Sequence, residues 1–280
     1  MLSVLYGLGA ALSWGAGDFT GGLAARKAGA YRSVFYGEVI GVAILMIIVS
    51  IAAEPLPNLK VWLLCMLAGA LGSIGLLLLY HSMTLGLMSI AAPVSALLTA
   101  ALPVVVGLFT EGLPKFLTIL GFGFALVAVW LISQGADGVT DLRAHLSDLK
   151  LPLLAGIGFG LYFVITHAAT REGGIIWPMI ASRSGGMLLV ILYLLFTRST
   201  WKIDPSAWPT IFLNGTLDIC GNAFFILAGQ AGRLDVAAVL SSLFPGATVM
   251  LASIFLKERL SRNQWIGILA ALTAIVLMTL

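Results

Sequence analysis

The sequence predicts an all-helical integral membrane protein, with ten transmembrane helices arranged as two inverted five-helix repeats. Three observations predict this fold: the composition, the segregation of charged residues and an internal repeat. Of the 280 residues, 60% are hydrophobic and only 10% are charged, whereas soluble domains carry roughly 25% charged residues. No aqueous fold could bury so much apolar surface, so the composition excludes a soluble protein.

Ten apolar runs are long enough to cross a bilayer, which takes about 20 residues per helix. Clusters of charge, Pro and Gly separate them. The first run lacks a basic leader and a convincing cleavage site, so we expect it to be retained as a span. The predicted spans are 2–24, 33–53, 61–82, 88–109, 115–133, 151–169, 178–196, 207–229, 235–256 and 264–280.

Charged residues are almost confined to the gaps between these spans. Of the 27 Asp, Glu, Lys and Arg residues, 23 lie in gaps or at span ends. A charge at mid-helix costs about 2.5–3.5 kcal/mol on insertion scales, so membrane helices show this segregation. Only four charged residues lie inside spans: Asp18, Glu38, Arg183 and Asp218.

The second half of the sequence matches the first at a constant shift of 146 residues. Ten identities fall in 36 ungapped columns between residues 62 and 97, including one Trp pair and three Gly pairs. Because each copy holds an odd number of spans, the copies should enter the membrane from opposite sides, as in many transporters. The predicted units are a first repeat at 1–133, a polar linker at 134–150 and a second repeat at 151–280.

Asp218 is the leading candidate for a binding or coupling residue. It lies near the centre of the eighth span, and Asn214 and Asn222 lie one turn to either side on the same helical face. We predict that Asp218, with Glu38 or Asp18, binds protons or a cationic group of a substrate. Removal from water favours the protonated form of a carboxyl group, which proton coupling requires. The alternative is that these residues are structural and satisfy one another.

Depth along the spans suggests how the other polar residues are placed. Glu38 and Arg183 occupy corresponding positions in the two copies, so inverted symmetry should put them on opposite sides of the midplane. We therefore expect no simple ion pair between them. Arg183 would instead hold a substrate carboxylate or compensate a buried charge. His81, late in the third span, joins the candidate coupling residues.

Aromatic residues on these spans could form the wall of a binding cavity. An aromatic face beside an acid suits a quaternary ammonium or aromatic substrate. For each residue alone, ordinary packing is the competing explanation. The residues predicted to line the cavity are Trp14, Tyr80, Tyr162 and Phe225.

Prolines inside two spans mark possible gating points. Proline releases a backbone carbonyl that can line a cavity or act at a bend. Pro93 and Pro103 lie in the fourth span, and Pro245 lies in the ninth, the equivalent span of the second copy. We predict that these three residues contribute to gating.

Residues 232–279 carry the pattern through which the chain resembles a known family. They include Pro245, the turn Lys257-Glu258-Arg259-Leu260 and the segment Gln264-Trp265-Ile266-Gly267. This stretch is similar to the closing helix pair of the EamA-type drug/metabolite transporter family. In the first copy, Glu111 and Gly121 stand at the places of Glu258 and Gly267, with a one-residue offset. The resemblance implies a ten-span secondary carrier, often an exporter of amino acids or related metabolites.

The expected function is secondary-active transport of a small metabolite such as an amino acid, by alternating access in the plasma membrane. Protons are the expected coupling ion, in an exporter or an exchanger. A choline-like cation is the alternative substrate, because three of the four interior charges are acids. We expect no cofactor, no metal and no nucleic acid partner, and the choice between monomer and homodimer stays open.

Two other classes of membrane protein compete with this interpretation. Residues 15–18 spell the Gly-x-Gly-Asp string of intramembrane aspartyl proteases, but the chain contains no Tyr-Asp to complete that pair. It also lacks the His-Glu-x-x-His, Gly-x-Ser-x-Gly and Walker motifs, so we do not expect an enzyme. A channel or lipid scramblase stays open on residue types alone.

The orientation in the membrane stays open. We call side A the side that holds the connections after spans one, three, five, seven and nine, and side B the side that holds both termini. Side A carries ten Lys and Arg and side B carries four. The positive-inside rule then puts side A in the cytoplasm, whereas the family resemblance implies the reverse.

Overall fold

The structure is a computed structural model that describes residues 1–84, 88–133, 150–198, 200–255, 257 and 260–279, without the side chains of 80–84, 88–94, 133 and 252. These residues form α-helices and one turn of 3-10 helix, Pro205–Ala207, which continues into α8. The helices are α1 (Leu2–Ala28), α2 (Ala30–Ala52), α3 (Leu59–Thr84), α4 (Met88–Thr110), α5 (Phe116–Ser133), α6 (Lys150–Thr170), α7 (Ile176–Phe196), α8 (Trp208–Ala231), α9 (Leu234–Ser241), α10 (Phe244–Phe255) and α11 (Arg262–Thr279).

Among the described residues, seven helical segments are long and apolar enough to cross a membrane. They are Ala30–Ala52, Leu59–Leu79, Lys150–Thr170, Ile176–Phe196, Pro205–Ala231, Leu234–Phe255 and Arg262–Thr279. Two shorter apolar stretches, Ser95–Thr110 and Phe116–Ile132, accompany them. α1 is 27 residues long, but Asp18 and its glycines make it less apolar than those seven.

The ninth predicted span is two helices, α9 and α10. Ser242 and Leu243 form a turn between them, and Pro245 occupies the first turn of α10. Proline is tolerated there because the amide groups of a first turn have no helical partner. Residues 134–149 of the predicted linker 134–150 lie outside the described residues, and Lys150 belongs to α6.

The helices pack in a pattern that is nearly unchanged when the two halves are exchanged. The most extensive contacts join α1 to α8 and, correspondingly, α6 to α3. Likewise α1 packs on α9 and α10, whereas α6 packs on α4. Corresponding helices also meet directly, as α5 does with α11 and α2 with α7. Two copies related by a two-fold axis produce this set of contacts.

Glycines of the repeat occupy equivalent helix crossings. A Cβ on Gly69 of α3 would lie 1.8 Å from the Ser182 carbonyl oxygen of α7, and one on Gly215 of α8 would lie 2.8 Å from the Gly37 carbonyl oxygen of α2. Only the absence of a side chain permits such close approach of two helix backbones. The matched glycines thus bring α3 onto α7 and α8 onto α2.

Both ends of α2 are attached to the second half of the chain. The Glu54 carboxylate accepts hydrogen bonds from the backbone N–H groups of Ile175, Ile176 and Trp177 at 3.1–3.2 Å, at the start of α7. An anionic acceptor suits the positive end of the helix dipole. At the other end, Arg32 Nη1 donates to the Lys202 carbonyl at 2.6 Å. These contacts place α2 beside α7 and α8.

Candidate functional site

Three of the four interior charges meet in one cluster, which we call the central charge cluster: Glu38 of α2, Arg183 of α7 and Asp218 of α8. Arg183 Nη1 donates to Glu38 Oε2 at 2.7 Å, and Arg183 Nη2 donates to Asp218 Oδ2. The side chain of Arg183 is 6% exposed, that of Glu38 19% and that of Asp218 38%. The two carboxylates are therefore more exposed than the guanidinium, which is covered.

A hydrogen-bond chain extends the cluster to α6. Asn222 Nδ2 donates to the Asp218 carbonyl at 2.7 Å and to Asp218 Oδ2 at 3.0 Å. The Tyr162 hydroxyl donates to Asn222 Oδ1. Tyr162, Asn222 and the central charge cluster thus connect α6, α8, α7 and α2 in one polar network.

The expectation that Glu38 and Arg183 do not form an ion pair is wrong. The two residues belong to α2 and α7, corresponding helices that pack against each other. Corresponding helices that touch lie at the two-fold axis, where equivalent positions come close together. The long Arg183 side chain then reaches Glu38, so nominal depth along separate spans does not keep them apart.

Asn214 does not join this cluster, although it shares a helix face with Asp218. Its Nδ2 donates to the Gly17 carbonyl of α1 at 2.8 Å. A Cβ on Gly21 would lie 2.8 Å from the same nitrogen. The Asn214 amide is therefore occupied in joining α8 to α1.

Asp18 lies on the inner face of α1 and remains exposed. Gly17, beside it, contacts α8 through Asn214 and Leu217, and Gly15 contacts α10 at Ala247. Asp18 lies between those two contact faces and within electrostatic range of Asp218. No atom comes within 4 Å of a Cβ built on Gly22, one turn further along. Asp18 therefore lies on the face of α1 between its contacts with α8 and α10, on the side where Gly22 meets open space.

The aromatic residues divide into packed and accessible ones. Phe225 is 1% exposed, and its ring lies 4.3 Å from that of Phe163. The expectation that Phe225 lines a cavity is wrong in this conformation, because tight aromatic packing buries it. Trp14 stacks on Phe163 at 5.5 Å and, like Tyr162, is only partly buried.

The structure describes the side chains of only some of the remaining predicted residues. The side chains of Tyr80, His81 and Pro93 lie outside the described residues. Pro103 lies within α4, which continues through it, and is buried. Pro245 follows the turn that divides α9 from α10. Gating by these prolines stays a prediction.

A second polar cluster, not predicted from the sequence, lies where α4 and α6 end and α9 begins. This side-B polar cluster consists of Glu111 after α4, His167 near the end of α6, and Arg233 and Asp235 at the start of α9. Glu111 Oε1 lies 3.1 Å from His167 Nε2, and Glu111 Oε2 accepts from the Leu234 N–H at 2.9 Å. The cluster therefore ties both halves of the chain together at side B.

Arg233 completes the side-B polar cluster. It donates to the Glu111 carbonyl at 3.0 Å, to the Gly112 carbonyl at 2.6 Å and to Asp235 Oδ2 at 2.7 Å. Asp235 is completely buried, so it depends on this partner for its charge. Its hydrogen bonds and negative charge in turn raise the pKa of the Arg233 guanidinium.

Sequence position explains why this cluster was missed. Glu111, Arg233 and Asp235 fall at span ends, where a charged residue is ordinarily solvated. A usable signal was nevertheless present, because the predicted ten spans put the connections after α4, α6 and α8 all on side B. Polar residues at those three positions can meet.

The described residues contain no group of three or more His, Cys, Asp or Glu side chains that could hold a metal ion. The interior carboxylates are instead paired with Arg183 or, at Asp18, exposed. Chemically, the site offers carboxylate acceptors for protons or cations.

Comparison with known proteins agrees with this architecture. The profile of the EamA-like transporter family matches residues 1–134 and 148–280. An uncharacterised protein of Methanocaldococcus jannaschii is 28% identical over 95 residues, which are 34% of this chain and 69% of that protein. A solved crystal structure shares the fold, with a TM-score of 0.82 at 17% identity, over 99% of this chain and 98% of its own.

The family match extends over both halves of the chain and fits its apolar helices and two-fold packing. The protein is thus a multi-pass membrane protein of two repeats, and its helices surround a charged interior. The chain belongs to the EamA-like transporter family.

Proposed function

We propose that the protein is a proton-coupled secondary transporter of a small metabolite and works by alternating access. In this proposal ten spans form two inverted repeats, the plasma membrane is the location, and transport is export or exchange. The central charge cluster with Asp18 is the binding and coupling site. The predicted class of metabolite is amino acids, with organic cations as the alternative.

One observation carries the proposal: the interior acids are accessible while the opposite end is closed by polar contacts. Asp218 is 38% exposed and Asp18 is also exposed. In the side-B polar cluster, the His167 and Glu111 side chains are only 8% and 9% exposed. Exposed acids beside a closed end support alternating access, which requires a conformation closed at one side while the site stays accessible.

The arrangement of the acids supports proton coupling. A carboxylate held inside a span is stabilised by a cation, a proton or a water-filled cavity. Asp218 already shares Arg183 with Glu38. A proton arriving at Asp218 would weaken its bond to Arg183 and so change the contact between α7 and α8.

Counterflow in proteoliposomes tests this function. Proteoliposomes that contain the purified protein are preloaded with a mixed pool of amino acids and organic cations. Exchange is then assayed with and without a pH gradient. Asp218→Asn is the test variant, and Glu172→Gln, an exposed acid in the connection after α6, is the matched control. We expect saturable exchange in the wild type and in Glu172→Gln, and loss of proton-driven accumulation in Asp218→Asn.

Two results would contradict the proposal. If none of the solutes in the pool is exchanged, the proposal that this chain is a transporter of such metabolites is contradicted. Flux that neither saturates nor responds to the gradient would indicate a channel or scramblase, because a carrier must bind its substrate in every cycle.

A further inference from the structure

We infer that the interior site takes a small organic cation that carries no carboxylate, such as an amine or a quaternary ammonium. This inference rests on the proposed transport function and names its substrate class. It reverses the order of the two candidates, because an amino acid needs a positive partner for its carboxylate as well as an acid for its ammonium.

Arg183, the one Lys or Arg that lies inside a predicted span rather than at a span end, is not available to a substrate. Two of its nitrogens donate to Glu38 and Asp218. A Cβ on Gly41 would lie within 2.6–2.9 Å of Nη1, Cζ and Nε, so the α2 backbone covers the guanidinium. Its Nε is buried without a partner. A substrate carboxylate could reach Arg183 only by displacing a carboxylate that already binds it.

The amide donors of the site are also occupied. Asn222 Nδ2 donates to Asp218, and Asn214 Nδ2 donates to the Gly17 carbonyl. The Tyr162 hydroxyl donates to Asn222. Hydrogen bonding to carboxylates relies on charged, amide or hydroxyl donors, and in this network these groups are directed at protein acceptors.

Acceptors, in contrast, are in excess. Within the described part of the chain, no ion pair and no hydrogen bond reaches the Asp18 carboxylate. The span interior holds three acids and one base, Asp18, Glu38 and Asp218 against Arg183. With all four ionised, two negative charges are uncompensated. Protons or an organic cation can compensate them, and competition between the two would couple their movements.

Trp14 adds a surface suited to such a cation. It lies one helical turn before Asp18, so both side chains lie on the same face of α1. Its indole is held by stacking on Phe163 and remains partly accessible. An aromatic face next to a carboxylate binds alkylammonium groups through cation–π and ionic contacts together. A substrate therefore needs no aromatic ring of its own to bind at this surface.

Matched pairs of ligands isolate the role of the carboxylate. Tryptamine against tryptophan, and phenethylamine against phenylalanine, differ only in that group, and choline serves as a quaternary ammonium. Binding is measured by calorimetry on the detergent-purified full chain, and exchange is measured in proteoliposomes. We expect the amines and choline to bind and exchange, and each amino acid to bind at least about 30-fold more weakly, since the one unpaired donor that the described residues offer near its carboxylate, Arg183 Nε, is covered by α2.

Variants test whether Asp18 is the cation's partner. Asp18→Asn should weaken amine binding by about 30-fold or more, whereas Asp18→Glu should retain it and Glu172→Gln should leave it unchanged. Thermal unfolding of Asp18→Asn reports whether the variant is folded. Equal binding of amines by folded Asp18→Asn and wild type would overturn the inference.

The outcomes also separate this inference from the proposed function. Exchange of amino acids without exchange of their amines would overturn the substrate class and leave the transporter in place. Exchange of none of these probes or of any other solute in the mixed pool would contradict the transporter proposal itself. Preference for amines, lost in Asp18→Asn, supports both.

Discussion

Arg183 shows how much of the site depends on a single side chain. Its guanidinium lies against Gly41 and bonds Glu38 and Asp218, which come from different halves of the chain. Removing the covered guanidinium from between the two carboxylates leaves their charges uncompensated. Breaking a buried pair in this way is far more costly than replacing all its members by neutral groups.

We expect Arg183→Leu to lower the free energy of unfolding by about 3–5 kcal/mol. Thermal unfolding in detergent measures the change. The triple variant Arg183→Leu, Glu38→Gln, Asp218→Asn should recover most of the loss, because it removes all three charges. Arg171→Leu, an exposed arginine after α6, is the control. An equal loss in both single variants would show that the central charge cluster does not stabilise the fold.

A glycine at a helix crossing gives a second prediction at this scale. In Gly69→Ala the new Cβ would lie 1.8 Å from the Ser182 carbonyl oxygen, so α3 and α7 must separate. We expect a loss of about 1–3 kcal/mol of stability, as for other overpacked sites. Gly123→Ala in α5, where no atom lies within 4 Å, should be neutral or slightly stabilising because alanine favours helix. Unchanged melting of Gly69→Ala would contradict this packing.

At the level of elements, the division of the ninth span is the main departure from a simple helix. α9 ends at Ser241 and α10 begins at Phe244. The short α9 carries Asp235 and is attached by the side-B polar cluster to Glu111 and His167. α10 instead contacts α1, where Thr248 of α10 donates a hydrogen bond to the Gly15 carbonyl of α1. The two pieces therefore have separate attachments.

Removing Glu111 should loosen the start of α9. In Glu111→Leu the Leu234 N–H and His167 lose their acceptor. Hydrogen bonds to charged groups contribute about 1.5–3 kcal/mol, so amide hydrogen exchange across residues 232–238 should become about 10- to 100-fold faster. Mass spectrometry of exchange in detergent measures it, with Glu172→Leu as the control. Equal exchange in wild type and Glu111→Leu would mean that the cluster does not hold this end closed.

At the scale of the whole molecule, the two halves pack as related copies, but their side chains are not equivalent. His167, Arg233 and Asp235 correspond, at a shift of 146, to Gly21, Leu87 and Ser89. The polar contacts that close side B therefore cannot form from the equivalent residues of the first copy. We infer that this asymmetry favours the conformation closed at side B.

Ten spans predict that both termini lie on the same side of the membrane. A fluorescent protein that matures only in the cytoplasm, fused to either end, should give the same signal for both fusions. The same protein inserted within residues 134–149 should give the opposite signal. Different signals from the two termini would rule out an even number of spans, and the sign of the signal would resolve the open orientation.

Composition and charge placement predicted the helices well, because the cost of polar groups in lipid acts on each segment separately. Asp18, Glu38, Arg183 and Asp218 were identified as interior for the same reason. The division of α9 from α10 was not predicted, since the turn at Ser242 and Leu243 carries no strong breaker before Pro245. Phe225 was misassigned because burial by Phe163 and Trp14 depends on neighbours from other helices.

The sequence by itself determined the membrane class, the repeat and the identity of the interior charges, since each follows from local composition or from comparison of the chain with itself. Only the tertiary structure decided how those charges are paired. The Glu38–Arg183 contact, the Asn214–Gly17 contact and the Glu111–His167 contact each join residues more than 50 positions apart on the chain. Such contacts depend on how helices are rotated and how closely glycines let them approach, and neither quantity is encoded by one helix alone.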